Sequence, residues 1–325
     1  MISVAMATYN GEKHILQQLQ SIKDQTRSVN EVVICDDGSK DRTVEIIERY
    51  IKKNKLQIWT VIKNQENLGY SKNFFKSVSL CNGDFIFLSD QDDVWAEDKV
   101  EKMVSFMEKD QSVFALSTNY TVVDKEGALH HKVQRQKSNR ELAVQELVGS
   151  SSIKGCTMCI RKKLDTLIPH EDISLGLQLG HDWYYNFLAS LIGKNVALAD
   201  YLFFYREHGE NISLQRNNRK TVLSVSPKRR IMIFDEMISS CQAVIDRLES
   251  YGIEVSEDKL KDTEKMLRFC KTRRSFVGGK KTVGIKLLFS LGKYRKISIS
   301  WKSAWHALAS DFLYAYNING RLLGK

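Results

Sequence analysis

Three carboxylates stand within four residues at Asp90-Gln91-Asp92-Asp93, directly after the apolar run Phe85-Ile86-Phe87-Leu88. Charges this close repel one another, and the crowding is favourable only beside a cation or a basic partner. Oxygen ligands of this kind suit Mg²⁺ or Mn²⁺, which commonly bind through one or two carboxylates together with substrate phosphates. A second acidic pair, Asp36-Asp37, follows the short apolar run Val32-Val33-Ile34-Cys35. A carboxylate there can accept hydrogen bonds from a pyrimidine N3–H or from ribose hydroxyls, or it can cap the next helix together with Ser39. Thr8-Tyr9-Asn10 adds a hydroxyl and a ring on which a base can stack. Further along, His181-Asp182-Trp183 opens an apolar helical run, where the helix dipole favours an anionic side chain. On these residues alone, Asp182 is equally a helix cap and a base.

The elements that must position these groups alternate. Ile2–Thr8 reads as a strand, and Ile15, Leu16, Leu19 and Ile22 fall on one face of a helix. The 32–35 run is a strand covered on both faces, and Val44, Ile47 and Ile51 mark the helix after it. A third strand is expected at 57–62, a third helix at 70–80, a fourth strand at 84–88, and then a helix burying Val100, Met103, Val104 and Met107. Such alternation implies an α/β fold: a mostly parallel, Rossmann-like sheet with helices on both faces. Ligands of open sheets bind outside the carboxyl ends of the strands, so the polar runs at 8–11, 36–39 and 89–93 should line one cleft. Beyond residue 110 we expect strands around 114–124, a strand at 153–160, a helix at 183–192 and a strand at 196–205. The rest reads as helices. The expected division is a catalytic domain at 1–215 and a basic helical appendage at 216–325.

Composition narrows the class. With 42% hydrophobic and 27% charged residues, the chain is ordinary globular protein. Its beginning resembles a first strand and not a signal peptide, and no apolar run is long enough to span a bilayer, so a cytoplasmic protein is expected. Cys156 and Cys159 form a lone C-x-x-C in an apolar stretch, two soft ligands where structural zinc needs four, and they are read as packing residues. The +10 charge is concentrated: residues 280–325 hold nine Lys or Arg against one acid, Asp311. Interleaved with Phe289, Tyr294, Trp301, Trp305, Phe312 and Tyr314, that charge suits an anionic membrane surface, the alternative being that the rings pack inward. No nucleic-acid recognition motif accompanies it.

Rival nucleotide chemistries lack their signatures. There is no G-x-x-x-x-G-K-[ST] loop and no G-x-G-x-x-G fingerprint. Phosphatases of the haloacid-dehalogenase type need Thr at the fifth position of D-x-D-x-T, where this chain has Val94. Processive polysaccharide synthases carry Q-x-x-R-W and spanning helices, both absent here.

Ala7-Thr8-Tyr9-Asn10-Gly11, Cys35-Asp36-Asp37-Gly38-Ser39 and Leu88-Ser89-Asp90-Gln91-Asp92-Asp93-Val94-Trp95 resemble, in order and spacing, the N-terminal motifs of family 2 glycosyltransferases with the GT-A fold. The S-D-Q-D-D-V-W form is similar to bacterial rhamnosyltransferases of cell-wall and capsule polysaccharide assembly. Gly155-Cys156-Thr157-Met158, Gly180-His181-Asp182-Trp183 and the run Tyr205–Asn211 fit that group too. The resemblance covers roughly residues 1–215 and is weak over the tail. It implies an inverting transfer in which Asp182 is the catalytic base and Asp36 contacts the nucleobase. Asp90 and Asp92 form the metal motif, with His208 beside them. It places Thr8, Tyr9, Asn10, Asp37, Gln91 and Arg206 with the nucleotide sugar, and Gly155, Cys156, Thr157, His181 and Trp183 on the acceptor side. The implied donor is dTDP-β-L-rhamnose, the implied acceptor a lipid-linked glycan. A UDP-hexose donor stays open because uridine and deoxythymidine share one pyrimidine edge. A glycan- or nucleotide-binding module without turnover, and self-association as a homodimer, also stay open.

Overall fold

Continuous apolar runs alternating with helical stripes give four parallel strands, β1 (Ile2–Thr8), β2 (Glu31–Asp36), β3 (Trp59–Lys63) and β4 (Phe85–Ser89), in the order β3-β2-β1-β4. The computed structural model describes residues 1–148, 153–167, 179–208, 226–296 and 301–316. Thr8 pairs with Asp36 and Met6 with Ser89, so the polar runs after β1, β2 and β4 leave the sheet at one edge. The helices between them, α1 (Ile15–Lys23), α2 (Thr43–Asn54) and α3 (Tyr70–Ser79), cover the sheet with their apolar stripes. Ile15, Leu19, Ile22 and Ile47 are fully buried in the core with Val4, Met6 and Ile34. After the two-residue β5 (Val94–Trp95), helix α4 (Lys99–Lys109) buries Val100, Met103, Val104 and Met107.

The second half of the sheet is mixed. Strand β6 (Val113–Val123) runs parallel to β10 (Lys194–Arg206), and β9 (Cys159–Arg161) fits antiparallel between β4 and β6. β5 pairs antiparallel with β10, β7 (Leu129–Val133) with β6, and β8 (Arg140–Glu141) with β10. The strand expected at 153–160 is shorter than its composition suggested. Gly155–Thr157 form a 3-10 turn in which the Thr157 hydroxyl donates to the Lys154 carbonyl at 2.7 Å, and only Cys159–Arg161 reach the ladder. A local side-chain bond of this type competes with strand pairing. The short α6 (Lys162–Thr166) follows β9, and α7 (His181–Ile192) buries nearly every residue, so it is apolar all round.

By contact, the chain forms two units. One comprises residues 1–142, 153–170 and 181–207 and contains the whole sheet; the other comprises 143–152, 171–180 and 208–325. The expected boundary at 215/216 lies outside the described residues. The second unit includes α5 (Val144–Leu147), α8 (Pro227–Ser250), α9 (Glu257–Val277), α10 (Gly284–Leu288), α11 (Leu291–Lys296) and α12 (Trp301–Ala315). Ser226 caps α8 by accepting from the Arg229 amide at 3.2 Å, and Pro227 takes the first turn, where no N–H is needed. A buried ion pair ties these helices together: Arg273 donates to Asp311 at 2.6 and 3.2 Å, and the Tyr294 hydroxyl to the same carboxylate at 2.6 Å. Tyr294 and Tyr314 are therefore core residues, whereas Phe289 and Trp305 stand exposed. No helix among the described residues is long and apolar enough to cross a membrane. All six cysteines are free and buried.

Candidate active site

The acidic loop after β4 is held from beneath by the end of β10. The Arg206 amide donates to Asp93 Oδ1 at 2.9 Å, and its buried guanidinium donates to the Asp92 carbonyl (2.9 Å), the Lys125 carbonyl (3.0 Å) and Gln17 Oε1 (2.5 Å). Arg206 is thus engaged in shaping the loop, where the resemblance placed it with the nucleotide sugar. Asp93 is buried and its Oδ2 has no hydrogen-bond partner. Burial pushes its carboxyl well above the ordinary range, and the charges of Asp92 and Asp90 push it further. Asp90 is raised to about 7, first by burial, then by Asp92 and also by Asp182; the Cys156 thiol hydrogen bond and the Lys154 charge oppose this. Asp182, far along the chain, therefore shares the electrostatic field of the acidic loop.

Lys99 was not singled out from the sequence. It is fully buried, donates from Nζ to the Cys156 carbonyl at 2.9 Å, and lies 4.0 Å from the Trp95 ring centroid and 4.9 Å from that of Phe203. Burial lowers its ammonium to about 7. Its phase gives a signal: Lys99 precedes Met103 and Met107 at helical spacing, on the buried stripe of α4.

The loops after β1 and β2 are laced together. Asp36 accepts from Thr8 Oγ1 (2.9 Å), the Ser39 hydroxyl (2.5 Å) and the Ser39 amide (2.9 Å). Asp37 accepts from Asn64 Nδ2, the Leu68 amide and the Gly69 amide, each at 2.8 Å. Asn10 adopts a left-handed φ of 51°, donates its amide to Ser39 Oγ at 2.9 Å, and accepts from the Lys40 amide at 2.8 Å. Gln91 clips the acidic loop to β1, its Oε1 accepting from the Tyr9 amide (2.8 Å) and its Nε2 donating to the Tyr9 carbonyl (2.9 Å). A Cβ on Gly11 would lie 2.2 Å from Gln91 Oε1, so only glycine leaves room for the clip. Asp37 and Gln91 build the loops; the Tyr9 ring, 47% exposed, is presented to solvent.

Asp182, the expected base, occupies the first turn of α7 beside the residues expected on the acceptor side, its Oδ1 accepting from the Trp183 amide at 2.8 Å. Gly155 packs against this turn: a Cβ there would sit 2.6 Å from His181 Nε2 and 3.4 Å from Asp182 Cβ. The His181 ring stacks on Phe74 at 4.0 Å, both ring nitrogens are buried without partners, and burial lowers its pKa to about 3, so it is neutral. Trp183 is buried and stacked on Phe187 at 5.0 Å, and the Thr157 hydroxyl is turned to Lys154, so both support the turn from inside. His208 is half-buried and belongs to the second unit, while Gly209, Glu210 and Asn211 of the same motif lie outside the described residues.

Asp90, Asp93 and Cys156 bring potential ligand atoms within 4.8 Å of one another. Burial and the neighbouring aspartates push the Cys156 thiol well up, which keeps it a neutral hydrogen-bond donor to Asp90. A neutral thiol does not suit a hard divalent ion. The carboxylates do, and the orphaned Asp93 oxygen and raised Asp90 mark a place where carboxylate charge is disfavoured until a cation is bound.

The model of glycosyl transferase family 2 matches residues 3–168. Among curated relatives, the glycosyltransferase GlyG of Streptococcus pneumoniae is 24% identical over 297 residues, 83% of this chain and 94% of that protein. An uncharacterized protein of Mycobacterium tuberculosis is 26% identical over 213 residues, 65% of this chain; the match spans only 60% of that relative's length. Two solved structures share the fold. S. aureus TarS 1–349 in complex with UDP aligns with a TM-score of 0.59 at 17% identity, covering 100% of this chain and 92% of that one. A mannosyltransferase from Pyrobaculum calidifontis with GDP-Man and Mn²⁺ aligns with a TM-score of 0.53 at 14% identity, covering 98% and 86%.

Proposed function

Because this chain belongs to glycosyl transferase family 2, we propose that it transfers a sugar with inversion from a nucleotide-diphosphate donor to a hydroxyl of a lipid-linked cell-surface glycan. One observation carries the reading: the Gly155-Cys156 turn packs against Asp182 at the start of α7 through Gly155 and beside Asp90 of the acidic loop through Cys156, which puts a candidate base near a candidate cation site. Asp182 removes the proton of the acceptor hydroxyl as that oxygen attacks the anomeric carbon. A single base on the face opposite the leaving group produces inversion. Asp90 and Asp92 would hold Mg²⁺ or Mn²⁺, which when bound supplies neutralising charge to the departing diphosphate. The Mn²⁺ in the mannosyltransferase neighbour supports that choice of ion. Thr8, Tyr9, Asn10 and Asp36 receive the nucleoside, with Tyr9 offering its exposed ring and Asp36 its carboxylate at the end of β2. Asp37, Gln91 and Arg206 act behind them by fixing the loops.

dTDP-β-L-rhamnose is the donor favoured by the Ser89–Trp95 motif. A UDP-hexose is the second reading, supported by the UDP bound to TarS. Catalysis is assigned to a domain ending around residue 215. The basic helices after it serve peripheral docking at the inner face of the cell membrane, where a lipid-linked acceptor is found. The test is a panel of nucleotide sugars, read by protection against thermal unfolding with and without Mn²⁺, then by donor hydrolysis and transfer. Protection by dTDP-rhamnose above UDP-sugars supports the favoured donor, and the reverse order selects the second reading. Binding without any turnover of a bound donor would make the chain a non-catalytic module.

A further inference from the structure

Helix α10 presents its apolar side to water. Ile285, Leu288 and Phe289 follow one another at i, i+3 and i+4, hence on one face, and are 67%, 52% and 88% exposed, while Leu287 on the opposite side is buried. A contiguous stripe of large exposed apolar side chains marks a surface that is covered in use. The charge around it identifies the cover: residues 280–296 contain six Lys or Arg and no acid. Beside Phe289 lies a cleft of about 270 Å³ whose charged lining is Lys265, Lys293 and Lys296, with Ser290 and the Gly292 backbone completing that wall. Three ammonium groups at the rim of an apolar stripe make a site for a phosphate that is attached to a hydrocarbon.

We propose that α10 and α11 form the membrane-docking surface of this protein: Ile285, Leu288 and Phe289 enter the acyl boundary of an anionic bilayer, and Lys265, Lys293 and Lys296 receive a phospholipid phosphate in the cleft. The inference rests on the peripheral docking proposed above and is independent of the sugar donor. It also divides the aromatic residues of the basic region by task. Tyr294 and Tyr314 hold the helices together from inside, and Phe289 faces outward.

The test is flotation of the full chain with vesicles of phosphatidylcholine alone or mixed with phosphatidylglycerol. Wild type is expected to float with the anionic vesicles. Leu288→Ser with Phe289→Ser, and separately Lys293→Gln with Lys296→Gln, should each lower the bound fraction at least about fivefold. The control Lys52→Gln with Lys53→Gln removes the same charge from the exposed side of α2 and should change little. If wild type does not float at all, both this inference and the peripheral reading fail. If it floats and the stripe and cleft variants float equally well, this surface is wrong while peripheral docking stands. An equal loss in the α2 control would reduce the effect to net charge and overturn the proposal. Release by inorganic phosphate beyond that by chloride of the same ionic strength would support a phosphate site in the cleft, and equal release by the two salts would overturn it. Sedimentation closes the last route: a wild-type dimer that Leu288→Ser with Phe289→Ser converts to monomer would identify the cover as a second copy of the chain.

Discussion

Two acidic loops leave the same edge of one parallel sheet, and their carboxylates meet opposite fates. Asp37 accepts two backbone amides and a side-chain amide, and Asp36 accepts two hydroxyls and two backbone amides, so that loop is satisfied by the protein itself. In the Asp90–Asp93 loop, Asp93 keeps a buried oxygen without a donor, and Asp90 is raised by burial and by its neighbours. Asp37 contributes to stability and Asp36 is held in place at the end of β2; the second loop disfavours its own carboxylate charge, which a bound cation would restore. Adjacent acids after a strand are therefore not one motif. The donors around Asp37 and the lack of one at Asp93 Oδ2 separate an acid that builds a loop from one left for a ligand.

Replacing the acids one at a time breaks this contrast or sharpens it. The largest effect is expected at Asp182, which belongs electrostatically to the second cluster. Asp182→Asn should lower transfer by about 10²–10⁴ with donor affinity unchanged. Because Asn caps a helix as well as Asp, a stable variant keeping more than about a third of the wild-type rate would show that Asp182 is a cap and not a base. Asp92→Asn comes next. Activity should drop about a hundredfold or more, as should wild type in excess chelator, while the melting temperature holds or rises because a repulsion on Asp90 has been removed. Full turnover after exhaustive chelation would end the metal assignment.

Asp37→Ala should do the reverse. It leaves the Leu68 and Gly69 amides without their acceptor and should cost about 1–3 kcal/mol in denaturant unfolding. Weaker donor binding at unchanged stability would instead place Asp37 against the nucleotide.

A pH measurement separates the neutral histidine from the acids around it. The His181 pKa lies near 3 against an ordinary 6.5, so its contribution is present above pH 6.5 and is lost as pH falls, because only the unfolded chain takes up the proton. Asp90 and Asp93 are shifted upward and act in the opposite sense, gaining relative stability as pH falls through their folded values. The difference between wild type and His181→Phe isolates the histidine. It should change by about 1.4 kcal/mol per pH unit below 6.5, and a flat difference would mean that the folded state admits the proton. The smallest effect is expected at Gly11→Ala, about 1 kcal/mol from the lost Gln91 clip. Combining it with Gln91→Ala should add almost nothing; full additivity would show that the clip and the glycine are unrelated.

How far the sequence carried depends on the range of the interactions. The parallel half was legible because its signal is local: Val32–Cys35 is a continuous apolar run, and Val100, Met103, Val104 and Met107 repeat at helical spacing. The strand-end loops followed from that pattern, since parallel strands leave the sheet on one side. The turn at Gly155–Thr157 was hidden because its apolar composition mimics a strand, while a single hydroxyl-to-carbonyl bond reshapes it. The tasks of Arg206 and Gln91 were hidden for another reason. Each joins positions remote in sequence, Arg206 to Asp92 and Gln91 to Tyr9, and such bonds impose no period on the chain. Lys99 lay between these cases, since its phase on α4 marked it as buried while its partner, the Cys156 carbonyl, comes 57 residues later.

The bond from the Arg206 amide to Asp93 also sets an order of events during synthesis. The acidic loop is translated early, yet the residue that braces it arrives 113 positions later. Until then the loop lacks the amide that holds Asp93 in the folded chain. The bracing of Asp93 therefore has to wait for β10, whose pairing with β6 brings the Arg206 amide to it. A nascent chain stopped short of Arg206 would carry every acid of the loop and still lack the bond that holds Asp93 in the interior, where its charge needs a cation.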